Sequence, residues 1–204
     1  FGRLANRDVM YGAVTVQTGG VHHSFFASGD DPDDPTETKL AELELNIEEP
    51  MRTMTISLDD NDSGMSCFLR WHARSAPLEE KRSTLRSKGR LIIDLTRWTQ
   101  FGCWEGWFEI DGVRTEVLAE QCLGVKDRSW GIRTIGNSGS DDGSQKRPLF
   151  WNWVPLNFGD FCIHSHRLET PETTAQQCII APLYENETAI PINEKNTEQI
   201  DSWS

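Results

Sequence analysis

The chain has 204 residues, of which 37% are hydrophobic and 9% aromatic, and it holds eight Trp against only two Tyr. Its formal net charge is −12, from 20 Lys and Arg against 32 Asp and Glu. Because so acidic a surface repels phosphate backbones and anionic lipid headgroups, we expect neither nucleic acid nor a membrane as a partner.

Cysteine usage and hydropathy predict the compartment. The five cysteines are an odd number without CxxC spacing, which favours neither a disulfide framework nor a zinc ribbon. We find no run of 18 apolar residues and no signal-peptide core. These features favour a reducing environment, and we expect a cytoplasmic protein.

Alternation of apolar and polar side chains, the period of a strand with one buried face, recurs along the chain. The predicted strands are 12–18, 41–47, 51–58, 65–73, 90–96, 104–110, 114–124, 129–135, 149–156, 160–167 and 176–181. Asp59 to Gly64 predicts a hairpin loop. Asp111-Gly112 predicts a type I′ turn, in which both residues need positive φ. A short helix is predicted only at 77–87.

Two stretches rich in Asp, Pro, Gly or Ser, 28–38 and 137–147, predict loops. The polar, acidic tail after Pro182 is expected to be poorly ordered. Many short strands with one-sided alternation predict an all-β fold, as an antiparallel barrel or sandwich.

The segment Asp-Arg-Ser-Trp-Gly-Ile-Arg at 127–133 is hard to explain as ordinary folding sequence. A guanidinium can pair with a carboxylate through two hydrogen bonds and can stack on an indole. The segment is either a structural clasp or a polar cluster at the floor of a ligand cavity. We expect Asp127 to form a close ion pair with Arg128 or Arg133, largely shielded from solvent.

Asp160, Cys162, His164 and His166 alternate, so they share one face of a predicted strand. Histidine and carboxylate on a common face could ligate a metal ion. The spacing misses the cupin signature on both sides, and a His-x-His strand is more often an ordinary half-buried one. We therefore expect no bound metal and no cofactor.

Aromatic side chains form a second group of candidates. Trp104 and Phe108 share one strand face, Trp151 and Trp153 share another, and Trp130 lies in the 127–133 segment. In a β-barrel, inward residues either fill the core or line a pocket for a small ligand. Both interpretations are open at this point.

Four segments together resemble a family of bacterial lipocalin-like (calycin) proteins of unknown function. They are 49–52, 97–112, 126–133 and 157–161. More distantly they are similar to the carotenoid 1,2-hydratase (hydroxyneurosporene synthase) and AttH-type group. The resemblance covers about residues 40–170, and its most specific part is the 127–133 segment.

This resemblance implies two lipocalin-like, β-barrel-like halves. The first half would span 1–126, and the second would begin at 127 and run to 204 with the polar tail. It also implies protonation or cyclisation of an apolar, polyene-like ligand.

The leading functional hypothesis is therefore a pocket for an apolar, terpenoid- or polyketide-like molecule, with cofactor-independent hydratase or cyclase chemistry. Asp127 would donate a proton or orient its donor, Arg128 and Arg133 would tune it, and the aromatic candidates would hold the ligand. Desolvation by indoles raises a carboxyl pKa, which suits a general acid, whereas a neighbouring Arg opposes that shift.

Two alternatives stay open. The first is a carrier that binds a hydrophobic ligand without transforming it. The second is a metal-dependent enzyme that uses Asp160, His164 and His166.

Overall fold

The computed structural model describes residues 1–87, 89–132, 150–170, 173–181 and 183–184. In these residues the chain is all-β with a curled antiparallel sheet, as the alternation predicts, and it has one 3-10 turn, Ala5–Arg7, and no α-helix. The strands in chain order are β1 (Gly2–Leu4), β2 (Val9–Thr18), β3 (Val21–Gly29), β4 (Lys39–Leu40), β5 (Leu43–Glu49), β6 (Thr53–Leu58), β7 (Met65–Ala73), β8 (Leu78–Glu79), β9 (Ser83–Ser87), β10 (Arg90–Ile110), β11 (Val113–Val117), β12 (Leu123–Ile132), β13 (Phe150–Asn157), β14 (Cys162–Thr170) and β15 (Thr173–Ala181).

The chain divides into two compact units. The first unit comprises residues 1–72 and 103–123, and the second comprises 73–102 and 124–204. Strand β10 contributes its first part to the second unit and its last part to the first. The boundary near residue 126 that the resemblance implies stays a prediction.

The first unit contains two antiparallel arrangements. Strands β1, β2 and β3 form one sheet, and β4, β5, β6 and β7 lie side by side and continue through the end of β10 to β11. The Asp59–Gly64 hairpin is confirmed, because β6 pairs with β7. The type I′ turn is also confirmed, with φ of 50° at Asp111 and 80° at Gly112.

The core of the first unit is apolar. Its buried members come from alternating positions on neighbouring strands, and they are Leu43, Leu58, Met65, Cys67 and Ile110. Side chains of β2 and β3, Val14, Val16 and Phe25, pack against this cluster. The predicted alternation therefore identifies the buried face of β7, whereas Ile47, in the alternating run 41–47, is exposed.

In the second unit, β8, β9 and β12 each pair with β10, and β13, β14 and β15 form a three-stranded antiparallel sheet. An apolar cluster of Leu78, Phe101, Cys162, Ala181 and Leu183 lies in its interior. Leu183 is buried and pairs with Ser75 through an isolated bridge. The chain is thus anchored at the point where a poorly ordered tail was expected to begin.

One glycine in each unit permits a close approach between strands. Gly106 has φ +126°, and a Cβ there would overlap the carbonyl oxygen of Phe68. Gly131 has φ +125°, and a Cβ there would overlap the carbonyl oxygen of Asp94. An L side chain fits neither position, because both the conformation and the space exclude it.

Three sequence-based expectations about elements differ from the structure. The predicted helix at 77–87 is instead the strands β8 and β9, because pairing with β10 overrides a weak helical pattern. The strand β3 was not predicted, since its alternation contains a His-His and a Phe-Phe pair. Strands predicted separately at 90–96 and 104–110 are one strand of 21 residues, β10.

Several predicted features lie outside the described residues. They are Arg133, the loop at 137–147, the ends of the strands predicted at 129–135 and 149–156, and residues 185–204 of the tail. No helix in the described part of the chain is both long and apolar enough to cross a bilayer.

Candidate functional site

The interior of the second unit holds an unusual concentration of polar side chains. Among the described residues, six buried polar or charged side chains belong to it, against Thr55 alone in the first unit. They are Ser75, Glu80, Thr99, Gln100, His164 and His166. Because a buried polar group costs free energy unless it is hydrogen-bonded, this interior is a candidate site.

The register of the three-stranded sheet brings the two histidines inward together. Trp153 of β13 lies opposite His166, and Pro155 lies opposite His164. Since directly paired residues point to the same face, Trp153 shares the inward face with both histidines. Cys162, two positions before His164, is also on this face and fully buried.

Glu80 lies at the centre of the polar interior. Its backbone N–H donates to the carbonyl oxygen of Arg97 at 2.9 Å, which continues the pairing of β8 with β10. Its side-chain Oε1 accepts hydrogen bonds from Trp153 Nε1 at 2.9 Å and from the Thr99 hydroxyl at 3.1 Å. His164 Nε2 lies 3.2 Å from the same oxygen, and Arg97 Nη1 lies 3.7 Å from Oε2.

These contacts keep Glu80 ionised. Burial alone would raise the pKa of its carboxyl, but the hydrogen bonds from His164 and Trp153 and the charges of His164 and Arg97 together lower that pKa from 4.5 to about 2. A carboxylate that is only 4% exposed therefore carries a full negative charge at neutral pH.

The imidazole of His164 has a charged neighbour on one side only. Its Nε2 faces Glu80, whereas its Nδ1 is buried and has no hydrogen-bond partner among the described residues. The Trp153 ring packs edge-on against it, with centroids 5.8 Å apart. For the neighbouring His166, burial lowers the pKa, so that imidazole is held in its neutral form at neutral pH.

Arg97 links this interior to a carboxylate closer to the surface. Its Nε lies 3.2 Å from Asp127 Oδ1, and its Nη1 faces Glu80. Arg97 itself is only 16% exposed. One guanidinium thus lies between a buried and a partly exposed carboxylate.

Of the three charged residues predicted from the 127–133 segment, the structure describes Asp127 and Arg128. Asp127 contacts Arg97, and its side chain is 40% exposed, so the expectation that it is largely shielded from solvent is wrong. Arg128 lies over the ring of Trp98, 5.9 Å from its centroid. Arg133 falls outside the described residues, so its pairing with Asp127 stays a prediction.

The five predicted ligand-binding aromatics divide between the units. Trp130, Trp151 and Trp153 belong to the second, where the first two are about half exposed at 49% and 51%. Trp104 and Phe108 belong to the first, where Trp104 packs edge-on against the buried Trp71 at 5.2 Å and Phe108 packs on the apolar core.

Two shallow hollows in the first unit are lined by other residues. One, of about 500 Å³, includes Phe68 and Trp107, and the other includes Asp60 and Asp111. A cavity among the five predicted aromatics stays a prediction.

The predicted metal-binding face is only partly reproduced. His164 and His166 share the buried face of β14, but Asp160 lies in an exposed bend before the strand begins. In the described residues, no group of three or more His, Cys, Asp or Glu is arranged to hold a metal ion.

Sequence reasoning missed Glu80, Thr99 and Arg97 as members of the site. Glu80 stands between Glu79 and Lys81 in a stretch that has the composition of an exposed helix. The pairing of β8 with β10 is what buries it. No local signal in the sequence distinguishes Glu80 from Glu79.

A comparison with known protein families identifies the family of this chain. Residues 1–203 match the model of a family described as "Family of unknown function (DUF8625)". The chain belongs to this family. Neither a curated protein nor a solved structure matches it. The family description contains no activity, and the relation to lipocalin-like proteins and carotenoid hydratases stays a prediction.

Proposed function

We propose that the protein binds an apolar small molecule and transforms it by cofactor-independent acid–base chemistry in the interior of the second unit. The observation that carries this proposal is the Glu80–His164 pair. An ionised, buried carboxylate faces one nitrogen of the imidazole, while the other nitrogen is buried without a partner among the described residues. Buried polar atoms are seldom left unsatisfied, so a ligand or water atom is expected at Nδ1.

Glu80 and His164 have the roles that a carboxylate and an imidazole play in catalytic triads. The carboxylate fixes the ring orientation and compensates the positive charge while the imidazole holds a second proton. In that state Nδ1 can donate its proton to a carbon of a double bond. The imidazole then takes a proton from the water whose oxygen bonds to the neighbouring carbon. One water molecule is added, and the imidazole returns to its starting state.

Arg97 and Asp127 are proposed as positioning residues. Arg97 lies between Glu80 and Asp127, so the two carboxylates share its single positive charge. This changes the role first expected for Asp127, because a carboxyl beside a guanidinium favours its ionised form and suits a general acid poorly. Arg128 and Arg133 stay candidates for tuning the charge of the 127–133 segment.

Two tryptophans beside the polar interior, and the resemblance to lipocalin-like proteins, support an apolar ligand. Trp153 contacts both Glu80 and His164, and Trp151 lies beside Arg97, whose guanidinium carbon is 5.5 Å from the ring centroid. We further propose that the ligand is terpenoid- or polyketide-like and that the protein is cytoplasmic. The proposed fold is a pair of lipocalin-like barrel halves.

The test is incorporation of solvent deuterium. The protein is incubated in D₂O with farnesol or retinol, and the recovered compound is analysed by mass spectrometry. Wild type should introduce deuterium at carbon, and Glu80→Gln and His164→Gln should lower the rate at least about 100-fold, the lower range for loss of a general acid–base. Circular dichroism verifies that each variant is folded.

A matched control exists in the first unit. His72 Nε2 lies 2.8 Å from Glu105 Oε1, but both side chains are partly exposed. His72→Gln removes an equivalent His–Glu pair and should leave deuterium incorporation unchanged. An equal loss in this variant would contradict the assignment to His164.

A non-catalytic carrier is the second candidate, favoured by the half-exposed Trp130 and Trp151. A carrier would bind the probes, quench tryptophan fluorescence and raise the melting temperature with ligand excess. It would incorporate no deuterium. Binding without incorporation therefore identifies a carrier and rejects the enzyme.

A further inference from the structure

Two cations lie against one indole on β12 and β10. Lys126 Nζ is 5.5 Å from the ring centroid of Trp98, and Arg128 Cζ is 5.9 Å from the same centroid. The two residues are two positions apart on β12, so both point to one face of the strand. Trp130, two positions further and half exposed, follows on the same face.

The carboxylate nearest in sequence is on the other face. Asp127 lies between Lys126 and Arg128 and therefore points away from them, toward Arg97. Glu79 shares the face, because it lies opposite Trp98 in the pairing of β8 with β10. Arg128 makes no ion pair in the part of the chain that the structure describes. Glu79 is therefore a described carboxylate that shares this face with the two cations.

An arginine–indole stack in the first unit shows the contrast. Arg114 Cζ lies 3.6 Å from the ring centroid of Trp107, and Arg114 Nε lies 3.6 Å from Glu109 Oε2. There the cation that stacks on the indole also has an intramolecular carboxylate. The stack of Arg128 on Trp98 has the same chemistry without that partner.

We propose that the face of β12 formed by Lys126, Arg128 and Trp130 binds a small organic carboxylate. The fork of Arg128 accommodates both carboxylate oxygens, Lys126 adds a second positive charge, and the exposed indole of Trp130 covers the apolar part of the anion. This site goes beyond the proposed acid–base function, since the opposite face of β12 carries Asp127.

The electrostatics of Lys126 agree with this geometry. Burial lowers the pKa of its ammonium group, and the positive charge of Arg128 lowers it further. A bound anion opposes both effects. Binding of a carboxylate is therefore expected to be tighter below the pKa of Lys126 than above it, and to weaken as salt screens the exposed Arg128.

The experiment compares benzoate with benzamide, which has the same ring without the charge, by calorimetric titration at low salt. Wild type should bind benzoate at least about tenfold more tightly than benzamide, since a charge-assisted hydrogen bond contributes about 1.5–3 kcal/mol. Arg128→Gln should remove this preference, and Glu79→Gln should strengthen benzoate binding. Circular dichroism checks that Arg128→Gln is folded.

Two controls separate the site from general charge effects. Arg114→Gln removes one positive charge and an indole stack in the first unit, and should leave benzoate affinity unchanged. His164→Gln should also leave it unchanged, which separates this site from the proposed acid–base site. Equal affinities for benzoate and benzamide, equal losses in the two arginine variants, or inorganic phosphate binding as tightly as benzoate would overturn the proposal.

Discussion

The two units bury different kinds of side chain. The first has an apolar interior around Leu43 and Met65, where Thr55 is the single buried polar side chain among the described residues. The second buries a carboxylate and two imidazoles beside its apolar cluster. Apolar burial stabilises a fold directly, whereas buried ionic groups lose hydration that their partners must replace.

This difference in burial is not explained by stability. An apolar core of similar volume would stabilise the second unit as well as the Glu80 network does, or better. Stability alone therefore does not account for the network, whereas the acid–base role proposed for His164 would account for it. The first unit has the simpler, apolar interior, although in both units a glycine with positive φ, Gly106 or Gly131, lets two strands approach closely.

Removing the central carboxylate should produce the largest effect on the second unit. Glu80→Ala leaves Arg97 and His164 buried without their shared anion, and is expected to lower the free energy of unfolding by about 3–5 kcal/mol. Cys162 is fully buried in the second unit and Cys67 is buried in the first, so their rates of labelling by dithiodipyridine report each unit separately.

Leu43→Ala is the counterpart in the first unit, and truncation of this fully buried side chain should cost about 2–5 kcal/mol. Glu80→Ala should accelerate labelling of Cys162, and Leu43→Ala labelling of Cys67. If Glu80→Ala leaves Cys162 protected, the carboxylate does not hold the interior together.

Acidification should destabilise the second unit selectively. Glu80 and His166 both belong to this unit, and in the folded state their pKa values are below the ordinary values of 4.5 and 6.5. The unfolded chain therefore binds more protons, and stability falls as pH falls. The contribution of His166 is complete above pH 6.5 and declines below it, and that of Glu80 declines between 4.5 and about 2.

For Glu80 the loss amounts to roughly 3 kcal/mol, the free energy that corresponds to lowering its pKa from 4.5 to about 2. The effect is measured as the rates at which dithiodipyridine labels Cys162 and Cys67 at pH 7, 5 and 3. Each rate is corrected for the intrinsic rate of the same thiol in urea. Cys162 should lose protection before Cys67. In Glu80→Gln the step below pH 4.5 should disappear, and its persistence there would assign it to other groups.

The two glycines offer a test in which the units should respond alike. Gly106→Ala and Gly131→Ala each place a methyl group against a neighbouring carbonyl oxygen at a positive φ. Each should cost at least about 2 kcal/mol, since strain and overpacking add. Thermal denaturation measures the loss. Gly112→Ala, at a turn with open space around it, is the control for φ alone, and an equal loss there would show that the close approach contributes nothing.

The fold could be predicted from sequence where a local signal determines it. Alternation identified β7 with its buried Met65 and Cys67, and Asp111-Gly112 identified the turn between β10 and β11. The local signal failed at 77–87, because β8 and β9 depend on pairing with β10, which is distant in the chain. Strand pairing of this kind leaves no periodic trace in a short segment.

The candidate site was predictable in part for the same reason. The alternation of His164 and His166 places them on one face, and the structure buries that face. The alternation could not indicate that Glu80 lies beside His164. The two residues are 84 positions apart, and they meet only because of the pairing of β8 with β10 and the three-stranded sheet. The alternation also could not show that Asp160 is not the carboxylate beside the histidines. Asp160 precedes β14, which begins at Cys162, and the position of that start is not visible in the sequence pattern.

The smallest expected effect is at Asp127, the residue first singled out in the sequence. Because its side chain is 40% exposed and pairs with Arg97 at 3.2 Å, Asp127→Asn should cost no more than about 1 kcal/mol, the usual upper range for an exposed ion pair. A fully buried pair would cost about 3–5 kcal/mol. Urea denaturation of Asp127→Asn and Glu80→Gln, each compared with wild type, places the two carboxylates on one scale. If Asp127→Asn is as damaging as Glu80→Gln, the charge balance at Arg97 extends to the surface, and Asp127 belongs to the interior network rather than to its edge.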